Sequence, residues 1–65
     1  MEVIVNGKMM KISHATVHDL LVQLEIDPTS VAVERNLEIV PKKMYESASL
    51  CNGDRIEIVH FVGGG

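Results

Sequence analysis

Residues 17–24 of this 65-residue chain have the apolar spacing of an α-helix that could cover a sheet. Thr16 can cap the N-terminus of that helix, and Asp19 supplies a carboxylate in the first turn, where the macrodipole favours negative charge. The pair Asp27-Pro28 predicts its end, because proline disfavours helical backbone angles at the residue before it. One helix covers one face of one small sheet, so the rest of the chain is expected to supply that sheet. The apolar stripe recurs at i, i+3, i+4 and i+7 and consists of Val17, Leu20, Leu21 and Leu24.

The segments on either side of this helix predict short β-strands joined by tight turns. Residues 1–5 and 8–13 flank Asn6-Gly7, the dipeptide that best tolerates positive φ in a two-residue hairpin turn. Residues 30–35 and 37–40 predict two further strands, with a turn beginning at Asn36. Pro41 is suited to open a short helical turn through Tyr45. After a compact turn at 52–54, residues 55–62 predict the last and most apolar strand.

This order of elements predicts an α+β fold. A hairpin, one helix, two short strands and a last strand fit a roll in which the last strand lies centrally beside the first. We expect a mixed sheet of four to five strands, with the one main helix packed on one face. Residues 1–62 would form this single domain, and residues 63–65 a flexible C-terminal glycine tail.

Composition and charge exclude several classes of function. Nine acidic residues against six lysines and arginines give a formal net charge of -3, which argues against binding a nucleic acid. A domain this small buries too little surface to wall in a large cleft, and no nucleophile, base and oxyanion donors can be assembled from this sequence. We therefore expect no catalytic residues and no enzyme. Without a signal segment or a membrane-spanning apolar run, we expect a soluble, cytoplasmic protein that does not bind membranes.

The cysteine and the histidines do not form a recognisable site. Cys51 has no base beside it in the sequence, so we interpret it as a small buried or half-buried residue. His14 and His18 are separated by the predicted start of the helix and need not share a face, so we expect no metal site. Lys42 and Lys43 are interpreted as a solvated surface pair.

The glycines Gly63, Gly64 and Gly65 are the strongest functional signal in the sequence. They carry no Cβ, so the end of the chain could enter a channel that any side chain would block. A disordered terminus is the alternative interpretation, because chain ends are commonly loose. For a functional tail, a partner would have to activate the Gly65 carboxylate, since a carboxylate is a poor acyl electrophile. An acyl adenylate could then react with a sulfur nucleophile or with an amine.

Val59 and Phe61 form a candidate partner surface. If Ile56 and Ile58 point towards the helix, the alternation of a strand turns Val59 and Phe61 towards the opposite face. One helix leaves that face uncovered, and an apolar patch there would suit a partner. The alternative is that residues 41–50 pack over the patch.

Together these motifs resemble the sulfur carrier proteins of thiamin biosynthesis, a family with the ubiquitin-like β-grasp fold. The resemblance covers essentially the whole chain. A terminal Gly-Gly is shared by all β-grasp carriers, so the combination of the internal motifs with this ending is what makes the match specific. The matching segments are Asn6-Gly7, residues 16–21 (TVHDLL), 31–36 (VAVERN), 39–41 (IVP), 53–58 (GDRIEI) and 62–65 (VGGG).

The resemblance implies a chemistry for the tail. An E1-like adenylating enzyme would consume ATP to activate Gly65, and sulfur drawn from cysteine by a desulfurase would convert the end group to a thiocarboxylate. Thiazole synthase would take that sulfur into the thiazole ring of thiamin. Gly64 corresponds to the family's penultimate glycine and Gly63 to a variable spacer, and both would be recognised with the tail. The chain itself would bind no cofactor.

Three other functions stay open at this point. The small subunit of molybdopterin synthase shares the fold and the activated tail that the resemblance implies. Other β-grasp sulfur carriers and protein modifiers are a second possibility. The third is a non-covalent binding module, whose apolar sheet face docks a partner while the tail is inert.

Overall fold

The computed structural model describes residues 1–13 and 15–62. In this part of the chain five strands and one α-helix are joined by turns and two short 3-10 helices. His14 and the predicted tail at 63–65 lie outside the described residues. The strands are β1 (Glu2–Val5), β2 (Lys8–Lys11), β3 (Val31–Arg35), β4 (Glu38–Val40) and β5 (Arg55–His60); the helix is α1 (Val17–Gln23), and the 3-10 helices are Pro28–Ser30 and Lys42–Met44.

The five strands form one mixed sheet in the order β2-β1-β5-β3-β4. β5 pairs in parallel with β1 and antiparallel with β3, so the last strand lies in the centre of the sheet. The two hairpins supply the outer strands. The predicted α+β arrangement, with the last strand beside the first, is confirmed.

Both hairpins turn on residues with positive φ. Asn6 and Gly7 have φ angles of 48° and 82°, which a type I′ turn requires at its two central positions. Asn36 and Leu37 take φ angles of 50° and 71° and make the second hairpin turn in the same way. The sequence assigned Leu37 to the fourth strand, which was wrong, because the turn needs both residues and β4 begins only at Glu38.

The N-terminus of α1 is closed by a reciprocal pair of hydrogen bonds. The hydroxyl of Thr16 accepts from the backbone N–H of Asp19 at 3.2 Å, and the Asp19 carboxylate accepts from the Thr16 N–H at 3.0 Å. This capping box satisfies two amides that the helix itself cannot pair. The predicted cap at Thr16 is therefore confirmed.

The C-terminus of α1 lies well before the predicted boundary at Asp27-Pro28. Glu25 adopts a left-handed conformation, with φ of 58°, and ends the helix at Gln23. Its N–H donates to the carbonyl of Val22 at 3.0 Å, and the N–H of Ile26 donates to the carbonyl of Leu21 at 2.9 Å. These two bonds are those of a Schellman motif, which satisfies the last carbonyls of a helix. Ile26 then packs against the core.

The core lies between α1 and one face of the sheet. Residues 41–50 complete it beside the helix N-terminus, where the backbone N–H of His18 donates to the carbonyl of Tyr45 at 2.9 Å. Tyr45 and Leu50 are both buried there. Tyr45 and Leu50 therefore place most of this segment on the helix side of the sheet. The alternative that it packs over Val59 and Phe61 holds only for one contact, that of Lys42 with the Phe61 ring. The helix contributes Val17, Leu20 and Leu21 to the core, and the sheet contributes Val3, Val5, Val31, Val33, Ile56 and Ile58.

Asp54 ties the loop before β5 to the turn between β3 and β4. Its carboxylate accepts from the Cys51 N–H at 2.7 Å, from Nδ2 of Asn36 at 3.0 Å and from Nε of Arg35 at 2.9 Å. The side chain is only 8% exposed. Burial by itself would raise the pKa of Asp54, but the bonds from Cys51 and Asn36 and the Arg35 charge outweigh it and hold the pKa below its ordinary value of 3.8. The start of β5 is thus fixed against the end of β3 and the turn that follows it.

We expect Asp54→Asn to destabilise the fold by about 2–3 kcal/mol, because the amide cannot accept from all of these donors. The lowered pKa also predicts an acid dependence. The contribution of the ionised carboxylate is complete above the unfolded pKa and is lost as pH falls through the lower folded pKa. Urea unfolding at a series of pH values should therefore show stability falling below about pH 4 in the wild type, and less steeply in the variant.

Glu46→Gln is the matched control, since Glu46 is an exposed carboxylate of the neighbouring loop. Its unfolding free energy should equal that of the wild type at neutral pH. Equal stability of Asp54→Asn and Glu46→Gln would contradict the role given to Asp54.

Candidate functional site

The candidate site lies at the end of β5, from which the chain runs towards the three glycines. The strand ends at His60, opposite Val31, rather than at residue 62 as the sequence indicated. It ends there because Pro28–Ser30 form a 3-10 helix, so β3 offers no strand residue before Val31. One further backbone bond joins the Phe61 N–H to the carbonyl of Ser30 at 3.0 Å. Val62 is 95% exposed.

The face of the sheet opposite α1, which we call the open face, carries exposed apolar side chains beside this exit. Ile56 and Ile58 are buried towards the helix, whereas Val59 and Phe61 are each 59% exposed, as the alternation of the strand predicts. Ile39 on β4 is also exposed on the open face. An exposed apolar surface of this kind is typical of a protein interface. That Val59 and Phe61 contact a partner stays a prediction.

Two glutamates lie side by side on the open face, two residues along β5 from the exposed Arg55. Glu34 on β3 and Glu57 on β5 are directly opposite in the antiparallel register, and both are half-buried. Like charges at such positions repel one another. A partner that combines apolar side chains with a basic group would complement this face.

Lys42 contacts Phe61 at the point where the chain leaves the sheet. Its Nζ lies over the Phe61 ring, 4.7 Å from the centroid, and donates to the carbonyl of Thr29 at 3.4 Å. Lys42 and Lys43 are both exposed, as the interpretation of a solvated surface pair expected, but Lys42 also makes these two contacts. The 3-10 helix at Lys42–Met44 begins with this residue and directs its side chain to the end of β5.

Cys51 is exposed, which contradicts its interpretation as a buried or half-buried residue. Leu50, the residue before it, fills the core position. The N–H and the carbonyl of Cys51 are both bonded to Asp54, so the turn fixes its backbone and leaves the side chain outside. Nη2 of Arg35 approaches the sulfur at 3.6 Å.

The Cys51 thiol should therefore react with a maleimide in the folded protein. We expect its labelling, followed by mass spectrometry, to be at most about tenfold slower in buffer than in denaturant, because access rather than unfolding limits it. A labelling rate in buffer that equals the rate of global unfolding would show that the side chain is buried.

Neither a metal cluster nor a membrane-crossing helix is found in the part of the chain that the structure describes. No group of three or more histidine, cysteine, aspartate and glutamate side chains in residues 1–13 and 15–62 could hold a metal ion. His18 is half-buried at the start of α1, and His14 lies outside the described residues. Within the same ranges, no helix is long and apolar enough to cross a membrane.

The predicted tail residues Gly63, Gly64 and Gly65 lie outside the described residues. What the structure gives is the position from which they continue, at Val62 beyond the central strand. Their roles in modification and recognition stay predictions.

A mixed sheet with its last strand in the centre and one helix across one face is the β-grasp arrangement of ubiquitin-like carrier proteins. The model of the ThiS family matches residues 3–65. The chain belongs to the ThiS family.

Relatives and solved structures agree with this assignment. The chain is 48% identical over 62 residues to the sulfur carrier protein ThiS of Bacillus subtilis, covering 92% of this chain and 94% of the relative. It is also 48% identical over 66 residues to a thiazole synthase of Paramagnetospirillum magneticum, but spans only 20% of that relative's length. The crystal structure of the thiamine biosynthesis protein ThiS of Geobacter metallireducens superposes with a TM-score of 0.86 at 30% identity, covering 100% of both chains.

These comparisons confirm the predicted family and the β-grasp fold. They also confirm the predicted class of function, a sulfur carrier protein of thiamin biosynthesis rather than a catalyst.

Proposed function

We propose that this protein carries sulfur as a thiocarboxylate on Gly65 and delivers it for the thiazole ring of thiamin. The observation that carries the proposal is the ThiS family match, which extends through residue 65 and so includes all three glycines. The fold supports it, because the central strand β5 leads directly towards these residues. We further propose that the exchange occurs in the cytoplasm, where ATP and cysteine-derived sulfur are available.

The proposed chemistry has three steps at the Gly65 carboxylate. A carboxylate oxygen attacks the α-phosphorus of ATP on an E1-like adenylating enzyme, and pyrophosphate leaves. The outer sulfur of a persulfide, which a cysteine desulfurase supplies, then attacks the acyl carbon, and AMP leaves. A thiol afterwards reduces the resulting acyl disulfide: the S–S bond breaks, the end group becomes a thiocarboxylate, and the thiol and the persulfide's own cysteine are left joined as a disulfide. Each step uses groups of the partners, so this chain contributes the acyl group, binds no cofactor and consumes none itself.

Thiazole synthase is the proposed acceptor of the sulfur. A relative named thiazole synthase contains a segment 48% identical to this whole chain within its own, longer sequence. Joining two components on one chain raises their effective concentration, which benefits components that act on one another. This relative favours thiazole formation over molybdopterin synthesis or protein modification as the purpose of the carrier.

Intact-mass spectrometry tests the proposal directly. Incubation with the adenylating enzyme, ATP, a desulfurase and cysteine should raise the mass by the difference between one sulfur and one oxygen atom. Omitting ATP should abolish the change, because the unactivated carboxylate resists attack. An unchanged mass, under conditions in which the same enzymes convert the Bacillus subtilis ThiS protein, would overturn the proposal.

Gly64→Ala adds a test of tail recognition in the same assay. A Cβ at this position would collide with a channel shaped for glycine, so adenylation should slow while thermal unfolding stays unchanged. Adenylation at the wild-type rate would contradict a role for Gly64 in recognition.

A non-covalent binding module is the second candidate, and the exposed Val59 and Phe61 on the open face favour it. Deleting Gly64 and Gly65 discriminates between the two functions. A carrier without these residues cannot be charged and loses all sulfur transfer. A docking module keeps its affinity for the partner and its entire function.

We expect Phe61→Ala to weaken binding to the adenylating enzyme about tenfold or more, because large apolar side chains dominate protein interfaces. Stability should fall by about 1 kcal/mol or less, since the ring is already largely exposed. Titration calorimetry and urea unfolding measure the two effects separately. Val22→Ala is the matched control, because Val22 is 60% exposed but lies on α1, away from the open face. Equal loss of affinity in both variants would show that the open face is not the docking surface.

A further inference from the structure

Three elements meet at one corner of the sheet, where the chain leaves β5. The backbone N–H of Phe61 donates to the carbonyl of Ser30 at 3.0 Å, which holds the chain against the first 3-10 helix. Lys42, at the start of the second 3-10 helix, places Nζ 4.7 Å from the centre of the Phe61 ring. The same Nζ donates to the carbonyl of Thr29 at 3.4 Å. We call these three contacts the exit corner.

The carbonyl that Lys42 uses is itself held in place. Oδ1 of Asp27 accepts from the backbone N–H of Thr29 at 2.9 Å and from its hydroxyl at 2.8 Å. These bonds cap the first 3-10 helix and fix the peptide groups that follow. The lysine therefore spans from a fixed backbone carbonyl to an aromatic ring that is otherwise largely exposed.

Past His60 the described chain is no longer part of a strand, so the exit corner is what orients it. Phe61 is 59% exposed and Val62 is 95% exposed. A cation over an aromatic face attracts the ring, and at an exposed site the attraction corresponds to a factor of about two to five in an equilibrium. Release of the ring would let the chain leave the sheet in more directions.

We propose that Lys42 is a positioning residue for the activation of Gly65. It holds the Phe61 ring and thereby sets the direction in which the chain leaves the sheet at Phe61 and Val62. This inference rests on the proposed function, because it concerns delivery of the same carboxylate. Lys42 acts through Phe61 and does not touch the reacting atoms.

The direction at Phe61 matters because the end group lies several residues further on. The tail begins after Val62, so the direction of the chain at Phe61 and Val62 decides the point from which the enzyme must bind the end group. A nucleophile must reach its near-attack position within about 1 Å, and each tail that points elsewhere must be reoriented by the enzyme. A chain whose direction is fixed as far as Val62 lowers this ordering cost.

The test compares Lys42→Ala with Lys43→Ala in the adenylation assay. Lys43 is the neighbouring exposed lysine and has the same charge, but it contacts neither the Phe61 ring nor the Thr29 carbonyl in the described part of the chain. We expect kcat/KM to fall about two- to fivefold for Lys42→Ala and to stay unchanged for Lys43→Ala. Lys42→Arg should restore the wild-type value, because a guanidinium also stacks on an aromatic ring.

A double-mutant cycle with Phe61→Leu separates positioning from direct contact with the enzyme. Leucine keeps apolar bulk but lacks the ring face. If Lys42 acts through the ring, Lys42→Ala costs nothing further in the Phe61→Leu background. If the fold-losses in kcat/KM of the two single variants multiply in the double variant, Lys42 contacts the enzyme by itself. That outcome overturns the proposal.

NMR of the free protein gives a readout that needs no enzyme. The ε-methylene protons of Lys42 should be shifted upfield by the Phe61 ring current, and the shift should vanish in Phe61→Leu. The heteronuclear NOE at the Phe61 and Val62 amides should fall in Lys42→Ala and not in Lys43→Ala. An unshifted methylene, or NOE values equal in the two alanine variants, would overturn the exit corner as the orienting contact.

The two proposals fail in different ways. A wild-type protein that is never adenylated overturns the proposed function, and with it the positioning role. A wild-type protein that is adenylated, with Lys42→Ala equal to it in kcat/KM, overturns the positioning role alone.

Discussion

The pairing of β5 between β1 and β3 is the constraint on which the rest of the structure depends. Its backbone is bonded on both sides, parallel to β1 and antiparallel to β3, so this strand joins the two hairpins into one sheet. Its alternation buries Ile56 and Ile58 under α1 and leaves Val59 on the open face. One short strand thus completes the core, presents an apolar surface and leads to the glycines. In a domain of this size, one strand can serve the core on one face and present a surface to a partner on the other.

Polar groups outside the strand ladder fix the positions at which β5 begins and ends. At its start, the buried Asp54 carboxylate accepts hydrogen bonds from Arg35 on β3, from Asn36 in the β3–β4 turn and from Cys51. At its end, the Phe61 N–H and the Lys42 ammonium hold the chain against the two 3-10 helices. Between these points Asn6 adds a further bond, since its side-chain oxygen accepts from the Ile58 N–H at 2.7 Å. A strand anchored in this way resists sliding, so its exit point is constant.

The sequence predicted those features that depend on neighbouring residues and missed those that depend on distant ones. The Thr16 cap and the Asn6-Gly7 turn were predicted correctly, because side chain and backbone meet within a few residues. Leu37 was assigned to a strand because leucine carries no signal for positive φ, and the helix end was missed because Glu25 carries none either. Cys51 was expected inside, since hydropathy does not tell which way a turn residue points.

The contact of Lys42 with Phe61 joins residues on separate elements, so only the folded chain reveals it. The glycines and their family were recognised from local motifs, whereas no contact in the described chain predicts their chemistry.

The parallel pairing of β1 with β5 has a consequence for biosynthesis. The sheet cannot close before β5 has been synthesised, because neither hairpin alone buries its apolar face. A nascent chain interrupted before β5 is therefore left open to proteases. Closure of the sheet therefore depends on contacts between strands far apart in the sequence, which slows folding relative to a helical domain of the same size.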